Sequence, residues 1–199
     1  IENLQAFYRQ YYQPDNAVLL VAGKLDEAAT LALIEKEFGA IPRPQRKLPV
    51  TYTQDPVQDG PREVTVRRVG DTQLAGVLYH TAAGSHPDAA AMAALSEIVA
   101  GTPNGRLHKS LVQGQKAVSI SPWNFELAET SYVLFMAELN TSQKLADVRK
   151  GMLDGLENMA KSPITDTELR RAKAALLSDI DKTLNNPERL AVQLSESMA

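Results

Sequence analysis

The 199-residue sequence contains no cysteine, only three histidines and a single tryptophan. Without cysteine the chain has no disulfide, no thiolate nucleophile and no cysteine-ligated zinc, although this absence does not distinguish between cellular compartments. No apolar run approaches the ~18–20 residues that a membrane span needs. The net charge is −3 and the isoelectric point about 5.7, which does not favour binding to phosphate backbones. We therefore expect no nucleic-acid partner and no membrane span.

The sequence also lacks a recognisable catalytic motif. A helical zinc site needs two histidines three or four residues apart with a carboxylate nearby, but His80, His86 and His108 lie on different predicted elements. We interpret them as non-ligands, and the sequence leaves open whether they meet in space. Neither the Gly-x-Ser-x-Gly nucleophile elbow nor a P-loop occurs. We therefore predict no catalytic, cofactor-binding or metal-binding residue in this chain.

Other conspicuous side chains fit structural roles. Trp123 and Phe125, next to Pro122, are predicted to be core or sheet-edge residues, with the core favoured over a ligand site. Arg106, at a helix start, fits either a salt bridge or the carboxylate of a substrate. Closely spaced carboxylates are predicted to lie on solvated helix faces: Glu35 with Glu37, and Asp179 with Asp181.

Hydrophobic periodicity predicts the elements in order. A helix ending near Tyr11 is followed by a turn at 13–16, a buried strand at 17–22 and a helix capped by Asp26 and closed by Gly39. Strands 63–69 and 73–80 are predicted to form a hairpin. The remaining elements are a helix at 87–99, a short helix through Leu107 and Leu111, strands at 118–127 and 131–139, and helices at 142–159, 165–183 and 187–198.

Sequence-adjacent strand pairs predict an α+β two-layer sandwich, in which helices cover one face of an antiparallel or mixed sheet. We assign residues 1–42, an α-β-α piece, to the end of a preceding subdomain. The proline-rich stretch 43–61 is predicted to be a linker, with a long surface loop as the alternative. Residues 62–199 form a second subdomain. Both ends fall within amphipathic runs, so we expect a piece of a longer protein, truncated at the C-terminus.

Three segments carry a family resemblance. The first runs Phe7-Tyr8-x-x-Tyr11-Tyr12-x-Pro14-x-Asn16-Ala17 and continues through an apolar strand to Phe38-Gly39-x-Ile41-Pro42. The second is Gly105-Arg106-Leu107-x-x-x-Leu111, and the third is Ile164-Thr165-Asp166-x-Glu168-Leu169-x-x-Ala172-Lys173. In order and spacing, these segments resemble the pitrilysin/insulinase family of zinc peptidases over nearly the whole chain.

The inverted zinc motif of that family, His-x-x-Glu-His, does not occur here; in the family it lies upstream of the first segment. The resemblance therefore implies a non-catalytic domain that follows the zinc-binding subdomain, with zinc in the parent protein and none in this chain. It implies a supporting and enclosing role around peptide substrate, with the rest of the parent chain as partner. The edges of strands 118–127 or 63–69 are candidates for peptide contact.

Two alternatives remain. The family's other half carries a substrate-binding arginine and tyrosine, and the matching positions here are Val112 and Ser119. This departure suits a piece of the zinc-bearing half, or an inactive homologue that acts as a scaffold in a processing complex. An unrelated hydrolase would need a cluster built from the three histidines.

Overall fold

The computed structural model describes residues 1–48 and 57–198. They contain six α-helices and three β-strands. The helices are α1 (Glu2–Tyr11), α2 (Glu27–Phe38), α3 (Ala89–Ala100), α4 (Leu145–Glu157), α5 (Asp166–Leu184) and α6 (Pro187–Met198). The strands are β1 (Thr72–Thr81), β2 (Ser119–Phe125) and β3 (Ser131–Asn140), and the elements follow one another in the order α1-α2-β1-α3-β2-β3-α4-α5-α6. Short helical turns lie at Pro14–Asn16, His108–Val112 and Met159–Lys161, and the second of these is a π-helical turn.

Two predicted strands are wrong. Residues 17–22 and 63–69 are neither helix nor strand, and neither segment pairs with another in the described part of the chain. Their apolar side chains are exposed, for example Leu19 at 55% and Val64 at 85%. A strand requires a hydrogen-bonding neighbour, and β1 takes β3 as its neighbour instead of forming the expected hairpin with 63–69.

The sheet is antiparallel with the order β1-β3-β2. Phe135 in the middle of β3 lies opposite Val77 of β1 and Pro122 of β2. Because side chains alternate between the two faces of a strand, this register sorts every strand residue onto one of two faces. The predicted α+β sandwich is confirmed, with helices on one face of the sheet.

The helix-covered face holds the core. Along β3, every second residue from Ser131 to Leu139 is buried. Helix α3 packs against β2 and α4 against β1. The core contains Val99 and Ala100 of α3, Val148 and Met152 of α4, and Leu107 and Leu111 of the connecting segment.

Backbone contacts divide the chain into two units, with residues 65–180 forming one and the flanking described residues forming the other. In the flanking unit, Asp26 caps α2 by accepting a 2.9 Å hydrogen bond from the backbone N–H of Ala29. Arg46 forms an ion pair with Asp15 at 3.1 Å. No residue of α1, α2 or α6 is buried.

Part of the predicted linker, residues 49–56, lies outside the described residues, so the domain boundaries remain a prediction.

Candidate functional site

The face of the sheet away from the helices is open, and we call it the open face. Helices α3 and α4 cover the opposite side, and the buried residues of β3 all point toward them. Leu78, Leu134 and Trp123 form one row across the three strands, and Leu78 and Trp123 are 50% and 55% exposed. The open face comprises Thr72, Leu74, Gly76, Leu78, His80, Ser119, Ser121, Trp123, Phe125, Tyr132, Leu134, Met136, Glu138 and Asn140.

Aromatic side chains gather at one end of the open face. The rings of Phe125 and Tyr132 stack with centroids 4.5 Å apart and an interplanar angle of 23°. Trp123 lies two residues before Phe125 on the same face of β2. The favoured prediction that Trp123 is a core residue is therefore wrong, and the sheet-edge alternative is correct. The alternation that placed Trp123 on β2 could not tell which face the helices would cover.

The two edges of the sheet differ in their chemistry. β1 forms one edge over ten residues, with neither a proline nor a Lys, Arg, Asp or Glu residue. β2 forms the other edge and has Pro122 at its centre. A proline lacks the backbone N–H that a ladder uses, and sheets tolerate it on edge strands. β2 is thus poorly suited to accept a further strand, whereas β1 carries no such obstacle.

The three histidines lie apart in the fold. His80 is on the open face near the end of β1, and His86 lies in the following loop, where its Nδ1 accepts a 3.1 Å hydrogen bond from the Asp88 backbone N–H. His108 begins the π-helical turn, and its buried Nδ1 has no hydrogen-bond partner. No group of three potential metal-ligating side chains gathers among residues 1–48 and 57–198. The described residues therefore do not fit a zinc site.

Arg106 connects the segment after α3 to the start of α5 through hydrogen bonds. Its Nε and Nη2 donate to the two carboxylate oxygens of Glu168 at 2.7 and 2.8 Å. Its remaining donors reach the carbonyl oxygens of Ser162 at 2.6 Å and Pro163 at 2.9 Å. The salt-bridge interpretation of Arg106 is thus confirmed, and its guanidinium is engaged within the domain.

The same glutamate caps α5. Its carboxylate accepts hydrogen bonds from the backbone N–H and the hydroxyl of Thr165, both at 2.9 Å, and Thr165 Oγ1 accepts from the Glu168 N–H at 3.3 Å. This is a capping box. The bonds from Arg106, followed by the Thr165 N–H, lower the pKa of Glu168 from 4.5 to about 2. The pKa of Arg106 is raised in turn, mainly by its hydrogen bonds to Glu168.

The carboxylate pairs Glu35 with Glu37 and Asp179 with Asp181 lie on exposed positions of α2 and α5, as predicted. A different acid contacts the sheet from an exposed position, because Glu157 of α4 accepts a 2.5 Å hydrogen bond from the hydroxyl of the half-buried Tyr79 on β1. Burial of the phenol, and then this bond, raise the pKa of Tyr79. The contact ties α4 to the helix-covered side of β1.

The profile of the peptidase M16 inactive domain matches residues 1–176. The chain therefore belongs to the M16 peptidase family as its inactive, non-catalytic domain. This confirms the resemblance to the pitrilysin/insulinase zinc peptidases.

Individual relatives agree with this assignment. The zinc protease PqqE of Helicobacter pylori is 28% identical over 96% of this chain and 44% of its own length. The crystal structure of a Helicobacter pylori protease superposes with a TM-score of 0.89 and 27% identity, over 100% of this chain and 49% of that one. The inactive peptidase domain of a Bordetella parapertussis zinc protease candidate gives a TM-score of 0.59 and 30% identity, over 68% of this chain and 74% of that chain. The chain thus spans about half the length of the Helicobacter pylori proteins.

None of the described helices is both long and apolar enough to cross a membrane.

Proposed function

We propose that this domain serves, within a longer zinc-dependent peptidase, as a non-catalytic wall of the chamber that receives peptide, with its open face toward the peptide. The observation that carries the proposal is the asymmetry of the sheet. Helices bury one face, while Leu78 and Trp123 on the other remain half exposed. Contiguous exposed apolar surface marks interaction sites in soluble proteins.

In this proposal the zinc chemistry belongs to the rest of the parent protein. The relatives that extend beyond this chain bear the name zinc protease. The three histidines are dispersed, and no group of three potential metal ligands gathers among the described residues. The domain would contribute contact surface and enclosure, and we assign no step of peptide hydrolysis to its residues.

The domain boundaries belong to the same proposal. Residues 1–42 would complete the preceding subdomain, 43–61 would connect the two, and 62–199 would form the wall itself. The described parts of the connecting stretch, 43–48 and 57–61, contain neither helix nor strand, which is compatible with a linker.

Site-specific photocrosslinking in the full-length protein tests the proposal. A photoreactive amino acid replaces Leu134 on the open face, and a matched variant carries it at Lys150, whose side chain is 75% exposed on α4. With a radiolabelled peptide substrate and a metal chelator to suppress cleavage, we expect labelling from position 134 and none from position 150. Equal labelling from both positions, or none from position 134, would contradict the proposal and favour a purely scaffolding role.

A further inference from the structure

We infer that the aromatic end of the open face, defined as Trp123, Phe125, Tyr132 and Leu134, is a side-chain subsite that selects bulky apolar residues of an extended peptide. This inference rests on the proposed function and adds to it the class of peptide that is bound. The subsite is formed by the pairing of β2 with β3, which brings its four members together.

The geometry suits side-chain recognition. Trp123 lies opposite Leu134, and Phe125 lies opposite Tyr132. Residues two apart on a strand project from the same face about 7 Å apart, so Trp123 and Phe125 offer adjacent contact surfaces. The stacked pair of Phe125 and Tyr132 holds the rings in place. Aromatic side chains supply a large contact area at a small entropic cost because they have few rotatable bonds.

The edge asymmetry keeps this end accessible. If the longer protein extends this sheet, the uninterrupted backbone of β1 is the edge suited to pairing. Pro122 interrupts the donors of β2, so the sheet is expected to end there. Trp123 and Phe125 lie on that terminal strand. A further strand of the parent would therefore lie beside β1 and leave the aromatic end free for a ligand.

Charge disfavours an acidic ligand. On the strands, Glu138 is the only Lys, Arg, Asp or Glu residue of the open face. It lies six residues along β3 from Tyr132, which corresponds to about 20 Å. The next carboxylates, Glu126 and Glu129, lie beyond the aromatic end in the connection between β2 and β3. An acidic peptide side chain placed on the rings would lose hydration and gain no ionic partner there, whereas an apolar one would gain contact area.

Peptide binding to the full-length protein tests this inference. Two fluorescein-labelled peptides differ only at a central Phe-x-Phe or Ser-x-Ser, whose spacing places both side chains on one face of an extended chain. With a chelator present to suppress cleavage, we expect the Phe peptide to bind about tenfold more tightly by fluorescence anisotropy. Trp123→Ala should remove most of that preference and Trp123→Phe should retain it. The control Leu145→Ala, at the 38% exposed start of α4, should leave it unchanged.

The outcomes separate this inference from the proposed function. Equal affinity for both peptides, together with crosslinking from position 134, would overturn the inference and leave the wall role in place. If the Phe peptide shows no preference and position 134 gives no crosslink, both the inference and the proposed wall function are overturned. A preference that survives in Trp123→Ala would place the selecting surface elsewhere and also overturn the inference. The inference would also be overturned if the wild type were a homodimer in size-exclusion chromatography and Trp123→Ala were a monomer. In that case a second copy of the chain, and not a peptide, would cover the aromatic end.

Discussion

Replacing Glu168 by glutamine removes the charge that joins the start of the π-helical turn to the start of α5. In the wild type, one carboxylate accepts two hydrogen bonds from Arg106 and two from Thr165. The glutamine amide keeps one acceptor oxygen and turns two donors toward groups that are themselves donors. Either the bond from Arg106 Nε or the bonds from Arg106 Nη2 and Thr165 must therefore be lost, because the first goes to one carboxylate oxygen and the others share the second.

The burial of the pair sets the size of the effect. Arg106 and Glu168 side chains are 22% and 23% exposed, between a surface pair and a buried one. Removing one partner costs about 0–1 kcal/mol at the surface and about 3–5 kcal/mol in the interior. We expect Glu168→Gln to lower the free energy of unfolding by about 2 kcal/mol near neutral pH.

The pH dependence identifies the charge as the cause. Folding lowers the pKa of Glu168 from 4.5 to about 2, so the folded state favours the ionised form. The resulting stabilisation is complete above the unfolded pKa and is lost as the pH falls through the folded pKa. The difference in stability between wild type and Glu168→Gln should be constant above about pH 5 and shrink by more than half near pH 3.

Urea unfolding followed by circular dichroism measures these differences. The control Asp154→Asn breaks the exposed pair with Lys150, whose side chains are 56% and 75% exposed, and should change stability by less than about 0.5 kcal/mol. A Glu168→Gln effect no larger than that of the control would refute the argument. A large effect that does not change between neutral pH and about pH 3 would also refute it, because the loss would then not come from the charge.

Three further predictions concern packing and metal. Gly155→Ala should destabilise the protein by about 1–3 kcal/mol in urea, because the new Cβ would lie 2.5 Å from Leu107 Cδ2 in the core, and a gain in stability would contradict this packing. Phe135→Ala should cost about 3–5 kcal/mol, while Trp123→Ala on the open face should cost far less; equal losses would contradict the assignment of the two faces. The 199-residue chain should retain no stoichiometric zinc after dialysis, as measured by elemental analysis. One bound equivalent would contradict the statement that the described residues do not fit a zinc site.

The elements that local patterns encode could be predicted from the sequence. Periodicity predicts the six α-helices of the described residues, and the cap residue Asp26 marks the start of one of them. These signals involve residues within four positions of each other, so no knowledge of the fold is needed to read them.

The errors arose where a partner lies far away in the chain. Alternating or continuous apolar residues favoured strands at 17–22 and 63–69, but strand formation depends on a neighbour that the local pattern does not specify. Arg106 and Glu168 lie 62 positions apart in the sequence, and only the fold brings them into contact. The open face could not be predicted for the same reason, since alternation defines two faces without saying which one the helices cover.

A crystal structure of the full-length protein with an uncleavable peptide would show whether the open face is the peptide-facing wall. We expect peptide in contact with Leu78, Leu134 and Trp123 on the open face, and metal bound only outside residues 1–48 and 57–198. A peptide-bound structure in which the parent's own chain covers these three residues, and the peptide lies elsewhere, would contradict it.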